Sequence, residues 1–555
     1  MAILRGAEEE DEGTCDHEPH VNTRGRRVQE LPGLTAGTDV ELVKLCPPST
    51  ESDCFIWAVS FRTCFREPYQ GTISSMKPLL PAPTPASVLD LLYADEVAQE
   101  SGSAVLVNNL LLVLLTSSVL AGFGLGQVTR QSEGQWTTKQ IMLVGLPAEL
   151  FLRLASLLVL PLIMASVIAS VSTSERSWLG KLGRNCALYF VVTKVLAAGS
   201  AIAFTALIMP GKPLIRMSKD SITLKRRTEA CVDIFLEILR NALPINIVES
   251  CLFTVTVVNP PANTSSNGTE LDNLATIQRT ALTNYLGLVV FCIIVGAVLS
   301  TVPLEQRVMT DIFVCLSEAM KSLTYFSLWY FPIGICFMIT VQILLSNEFF
   351  RRLDDSPDSI TLRSYIFTML LCQGFHLMVT LPLMLYFFGK RRYTGLYANL
   401  GFIIVTAFGS SSSNATVPIT MFTLERKMGM DPSMVGIVSS IGSCVNFDGL
   451  IIHRIVTLLY YAQQTNMVLS LIDYVYISMY VVLRSLQVVG KAGGLEDQVI
   501  CDLLVLGIPA KSTMDVFITE WLLDRCMTVV NVMGDVVACS VLDNSVMKGE
   551  EKCVL

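Results

Sequence analysis

The sequence predicts an all-α polytopic membrane protein, on three observations. Of its 555 residues, 52% are hydrophobic and 16% charged, against about 25% charged in ordinary soluble domains. Apolar runs of about 20 residues, the length a helix needs to cross a bilayer, recur along the chain. Two of the late runs are broken by stretches rich in Ser or Gly, which ordinary spanning helices avoid.

Residues 1–103 are polar and punctuated by proline, with the acidic run "EEEDE" and the linker "KPLLPAPTPAS". Such a composition cannot bury enough apolar surface to fold, so a mostly disordered acidic tail is expected. The start lacks an early apolar core, which leaves the first spanning run as the insertion signal. Spanning runs are read at 104–126, 141–171, 186–209, 230–258, 283–303, 310–344, 364–388, 432–461 and 513–541. The 16 cysteines are scattered, mostly inside apolar runs, and read as small core residues rather than a disulfide framework. His17, His20, His376 and His453 make no credible metal set. No nucleophile–base pair stands out, so an enzyme is not expected, nor a nucleic-acid partner.

Between two runs lies the polar insertion 259–282, with glycosylation acceptor patterns at Asn263 and Asn267. Two in one loop suggest an extracellular segment. Four preceding crossings would then place the N-terminus outside; an incomplete or doubled crossing within 186–258 would place it inside. Basic residues in 173–184 favour the second option and those in 218–227 the first.

After 388, "GSSSSNATVPIT" (409–420) interrupts the run 396–421, and "QVVGKAGG" (487–494) interrupts 467–508. Broken backbone at membrane depth is tolerated only where it is buried or lines a cavity. Two such breaks point to a transporter substrate site near the midplane. The serines then form the tip of a hairpin that enters and leaves on one side; an ordinary loop between helices is the alternative.

The last run, "EWLLDRCMTVVNVMGDVVAC", places Glu520, Asp524, Thr528, Asn531 and Asp535 three or four residues apart, on one helical face. Arg525 lies about 100° away from Asp524. Carboxylates on a buried stripe call for cations, and hard oxygen ligands suit sodium or an ammonium group. In "GSCVNFDGL" (442–450), Asn446, Asp448 and Gly449 interrupt an apolar run, which would unwind a helix and free carbonyls for an ion. A plain loop between two helices is the competing reading of that stretch taken alone.

At these residues the chain resembles the sodium-coupled glutamate and neutral amino-acid transporters, the dicarboxylate/amino acid:cation symporters. The family's serine-rich tip followed by A-T-L-P-I-T is matched by "SSSSNATVPIT". Its N-M-D-G-T is matched by "NFDGL", and its D-W-L-L-D-R-x-R-T-x-x-N-V-x-G-D by "EWLLDRCMTVVNVMGD". Likeness extends from about 104 to 543. The resemblance implies eight transmembrane helices plus two re-entrant helical hairpins, an elevator-type transporter with scaffold and transport domains. It also implies a homotrimer in the plasma membrane, cytoplasmic termini and an extracellular 259–282 loop. Residues 104–258 would hold scaffold and first transport-domain helices, 283–362 scaffold and connecting helices, 363–543 the transport core, and 544–555 a cytoplasmic tail. By position, Ser412, Ser413 and Asn414 would face the substrate carboxylate, and Asp524, with Thr528 and Asn531, the α-amino group. One sodium ion would lie among Gly442, Asn446, Asn531 and Asp535. A second would use Asn446 and Asp448, with Tyr189 and Thr193 as further ligands. Sodium is then a co-transported ligand, and no cofactor is implied.

Several positions depart from the family pattern. Met527 stands where glutamate carriers have the arginine that pairs with the substrate side chain, and a thioether makes no bidentate carboxylate contact. A neutral substrate follows. Arg454 replaces a glutamate tied to potassium and proton coupling, so neither ion is expected to be counter-transported. Arg454 also keeps open an acidic substrate, or a purely structural ion pair with a carboxylate such as Glu520. Leu450, Cys444 and Phe447 replace ligand-bearing positions, and Lys491 sits at the second tip, which puts the sodium site beneath it in doubt. The expected function is sodium-coupled symport or exchange of neutral amino acids. An acidic amino-acid transporter using Arg454, an anion-conducting protein and a non-transporting paralogue are the alternatives.

Overall fold

The computed structural model describes residues 110–131, 136–212, 222–223, 228–258, 276–303, 306–346, 359–389, 400–486, 495–509 and 514–551, all within the compact unit Thr84–Leu555. The tail 1–103, Asn263, Asn267, Lys491 and residues 552–555 lie outside the described residues.

Helices dominate. They begin with α1 (Leu110–Gln131), α2 (Thr138–Thr173) and α3 (Arg176–Ile208). Thr137 starts α2 with a capping box: its backbone N–H donates to Gln140 Oε1 at 3.0 Å. Among the described residues, seven helical segments are long and apolar enough to cross a membrane. Many of their large apolar side chains are exposed, such as Leu120, Leu157 and Leu207, as lipid contact requires.

The run expected at 230–258 is not one span. It divides into α4 (Thr228–Ala242), α5 (Ile247–Leu252) and strand β2 (Thr254–Val258), which pairs antiparallel with β3 (Thr276–Thr280). Pro244 lies in the gap, where a residue without an N–H stops the helical ladder, and Asn246 caps α5. A two-residue strand β1 (Ile222–Thr223) pairs parallel with β4 (Met467–Val468). The next apolar run yields only α6 (Tyr285–Leu299).

Helices α7 (Val308–Ser327) and α8 (Phe331–Leu345) are joined by the 3₁₀ turn Leu328–Tyr330. Helix α8 packs on α1 and α2. The approach to α1 is close: a Cβ on Gly122 would sit 2.7 Å from the Cys336 carbonyl oxygen. Small residues at a helix interface permit this in a membrane. Helices α9 (Ser359–Phe375) and α10 (Leu381–Phe388) flank a π-helical turn, His376–Thr380.

The serine-rich interruption is a tight reversal rather than a long loop. Helix α11 (Gly401–Ser410) stops at Ser411, which takes the left-handed conformation, φ 47°. Ser412 is extended and accepts from Ala415 N–H at 3.3 Å, capping α12 (Ser413–Phe422). The two helices pack together. Each has ten residues, about 15 Å of helix against about 30 Å of hydrocarbon.

Helix α13 (Pro432–Val445) and helix α14 (Asp448–Gln464) are separated only by Asn446 and Phe447. Then follow α15 (Leu471–Ser485), α16 (Leu495–Leu506) and α17 (Met514–Glu551). Helix α17 packs on α11, α13, α14 and α10, and its segment 518–543 is buried almost throughout. That burial places its polar stripe inside the protein.

Candidate functional site

The break at Asn446–Phe447 generates the site. Their φ/ψ values, −94°/81° and −110°/62°, leave the helical region. The interruption turns Asn446 and the start of α14 toward α17. Asn446 Nδ2 donates to Asp535 Oδ1 at 3.1 Å, and Gly449 N–H donates to Asn531 Oδ1 at 2.8 Å. A Cβ on Gly442 would collide with the Asp535 carboxylate, so glycine is what lets α17 bring that carboxylate against α13. The plain-loop reading of "GSCVNFDGL" therefore gives way to a built contact between two buried helices.

Several polar atoms here have no hydrogen-bond partner. They are Asp448 Oδ1 and Oδ2 and Asn446 Oδ1. The His376 ring, presented by the π turn, faces Asp448 with Nε2 3.5 Å from Oδ2. Buried polar groups are nearly always satisfied, and a buried carboxylate is costly without a counter-charge. Unpartnered oxygens from two residues beside Asp535 are what a small cation would coordinate.

Tyr189, expected as a further ligand, reaches the same place: its hydroxyl donates to the Gly534 carbonyl at 3.2 Å. Thr193 Oγ1 instead donates to its own helix at Phe190 O, 3.2 Å. Along α17, Asp524, Thr528, Asn531 and Asp535 are all buried, and Thr528 Oγ1 donates to Asp524 O at 2.8 Å. Ser412, Ser413 and Asn414 are buried at the α11–α12 turn, and both helices pack on α17. Ser411 Oγ and Asn414 Oδ1 lack hydrogen-bond partners.

The two arginines do other work. Arg525 points off the carboxylate stripe and donates to the carbonyls of Phe408 (2.8 Å) and Gly409 (2.6 Å), and to Gln342. It thereby satisfies carbonyls at the C-terminal end of α11, where a cation is favoured. Arg454 pairs not with Glu520 but with Asp502 on α16, Nη1 to Oδ2 2.9 Å, and also donates to Gln498. Tyr480 on α15 donates to the other Asp502 oxygen at 3.0 Å.

Met527, Phe447 and Leu450 form one buried apolar cluster at the helix break. Three separate departures from the family pattern are thus a single feature in space. Sequence reasoning missed Lys194 on α3, which is buried with Nζ 2.8 Å from Val445 O. A lysine inside the run 186–209, next to Thr193, was the available signal, because an ionisable residue within a span is functional by default.

A family model described as the sodium:dicarboxylate symporter family matches residues 111–545. The chain is 31% identical over 451 residues to an excitatory amino acid transporter of Caenorhabditis elegans, covering 78% of this chain and 87% of the relative. It is 30% identical to excitatory amino acid transporter 3 of Oryctolagus cuniculus (79% of this chain, 86% of the relative). It is also 30% identical to neutral amino acid transporter B(0) of Rattus norvegicus (79% and 81%).

Proposed function

The chain belongs to the sodium:dicarboxylate symporter family, and from that premise we propose that it is a plasma-membrane symporter or exchanger that moves neutral amino acids with sodium. Members of the family are transporters rather than enzymes, and sodium is the co-transported ion. The observation that carries the neutral assignment is the apolar cluster of Met527, Phe447 and Leu450. It offers a substrate side chain dispersion contacts and no partner for a second carboxylate. Arg454 is committed to Asp502, which counts against an acidic substrate held by that residue.

In this reading α11–α12 and α15–α16 are the two re-entrant hairpins of an eight-helix, elevator-type transporter that assembles as a homotrimer. The 363–543 core moves against scaffold helices drawn from 104–258 and 283–362. The 259–282 loop is extracellular and carries glycans on Asn263 and Asn267, and the tails 1–103 and 544–555 are cytoplasmic.

The substrate carboxylate lies against Ser412, Ser413 and Asn414 at the N-terminus of α12, where backbone N–H groups and the helix dipole favour an anion. Asp524 holds the α-amino group, helped by Thr528 and Asn531. Sodium enters among Gly442, Asn446, Asn531 and Asp535, and at Asp448 with Tyr189 and Thr193. Empty, the carboxylates Asp448, Asp524 and Asp535 repel one another. Cation binding relieves that repulsion and orders the second hairpin, with Lys491 at its tip, over the substrate. Each sodium moved inward gains about 2.3 kcal/mol per 100 mV of membrane potential, which drives uptake. With Arg454 at the coupling position, neither potassium nor protons are counter-transported.

Uptake of labelled neutral and acidic amino acids into proteoliposomes, with and without a sodium gradient, tests this. Sodium-dependent uptake of a neutral amino acid that is lost in Asp524→Ala is the expected result. Sodium-dependent uptake of glutamate or aspartate instead would overturn the neutral assignment. Substrate-free current following the anion gradient, or no uptake at all, would overturn the transport reading.

A further inference from the structure

Lys194 presents a charge that the sodium chemistry described above leaves unused. Its side chain is buried, 3% exposed. An ammonium is not kept there without compensation. Two of its three protons are accounted for: Nζ is 2.8 Å from the Val445 carbonyl and 3.2 Å from Ser485 Oγ. Val445 is the last residue of α13, so its carbonyl belongs to the negative end of that helix. Unwound carbonyls of this kind are what co-transported cations coordinate. Neither contact carries a full negative charge; the charges that answer the ammonium are the Asp535 carboxylate, to which the next residue after Val445, Asn446, donates at 3.1 Å, and the Asp448 carboxylate two residues further along. These are the two acids of the candidate sodium sites.

Ser485 ends α15, the first arm of the second hairpin in the reading above. The ammonium therefore performs both tasks assigned to sodium: it offsets the Asp448 and Asp535 charges, and it ties the helix break to the hairpin. Two carboxylates and one tethered ammonium leave one charge for an ion to neutralise.

We infer that Lys194 is a tethered cation in place of one of the two sodium ions, so that the Asp448–Asp535 pair takes up one sodium per cycle. The inference rests on the sodium-coupled reading and adds the stoichiometry of that same site.

The test replaces Lys194 by Thr or by Gln in the full-length protein. It records the rise of melting temperature with sodium concentration, whose slope reports the ions bound, and the ratio of labelled sodium to substrate in proteoliposomes. Both neutral variants are expected to bind one more sodium than the unaltered protein, with a steeper sodium dependence and a flux ratio raised by one ion. They are also expected to need high sodium to stay folded, while Lys194→Arg does not. An unchanged slope and ratio in the variants would overturn the inference. So would neutral variants that remain unfolded at any sodium concentration, because sodium would then be unable to replace the ammonium. If the unaltered protein shows no sodium response, the sodium-coupled reading itself fails, a result separable from the other two.

Discussion

Arg454 Nη1 lies 2.9 Å from Asp502 Oδ2, with both side chains fully buried, so an ion pair ties α14 to α16. Tyr480 donates to the second Asp502 oxygen at 3.0 Å, and Arg484, 3.9 Å from that oxygen, bonds Glu237 at 3.0 Å. The pair thus anchors a network that joins α14, α15, α16 and α4.

Removing one partner should therefore cost more than removing both. Arg454→Gln or Asp502→Asn alone leaves a buried unpaired charge, with an expected loss of about 3–5 kcal/mol. The double variant should recover a large part of that loss. Thermal unfolding of the purified protein in a double-mutant cycle measures the coupling; additive losses would mean that the pair does not act as a unit.

Met527 lies against Phe447 and Leu450, and a guanidinium there would need a carboxylate partner. Met527→Arg is expected to lower neutral amino-acid uptake at least tenfold, about 1.4 kcal/mol, and to bring in sodium-dependent aspartate or glutamate uptake. Competition between labelled alanine and aspartate reads the switch. A variant that still prefers neutral substrates would show that this residue does not set specificity.

A methyl group on Gly442 would run into the Asp535 carboxylate. Gly442→Ala should displace that carboxylate and reduce apparent sodium affinity at least tenfold, about 1.4 kcal/mol. Asp535→Asn should do the same by removing the charge. Sodium titration of uptake, or of thermal stability, checks both, and unchanged affinity would move the sodium site elsewhere.

Arg525 binds the carbonyls of Phe408 and Gly409 together with Gln342, a forked arrangement that a lysine cannot reproduce. Arg525→Lys should destabilise the protein by about 1.5–3 kcal/mol, the range for a hydrogen bond to a charged group. Substrate preference should stay the same. Melting temperature and a substrate panel distinguish this structural role from a substrate-binding one.

Much of the site was legible because its residues carry local signals. A polar stripe at helical spacing on an apolar segment, "NFDG" inside an apolar run and four consecutive serines each violate what a lipid-facing helix tolerates. Each violation lies where the structure has a break, a reversal or a buried polar contact. Helix ends inside the 230–258 run were less legible, because hydropathy is blind to one proline that ends a ladder. The His376 side chain looked like one of four unrelated histidines, yet the π turn at 376–380 sets it beside Asp448.

Sequence alone determined that the chain is helical and membrane-class, which segments break, and which helix carries the carboxylates. Composition and periodicity report how each residue meets lipid, water or core, and those are local properties. Tertiary structure alone decided the partners. Arg454 meets Asp502 from 48 positions away and Lys194 reaches Val445 across 251, while three scattered substitutions close into one apolar cluster. Long-range pairing depends on how helices cross and where their breaks fall. The charge at each position was therefore readable in the sequence, and the charge it answers only in the fold.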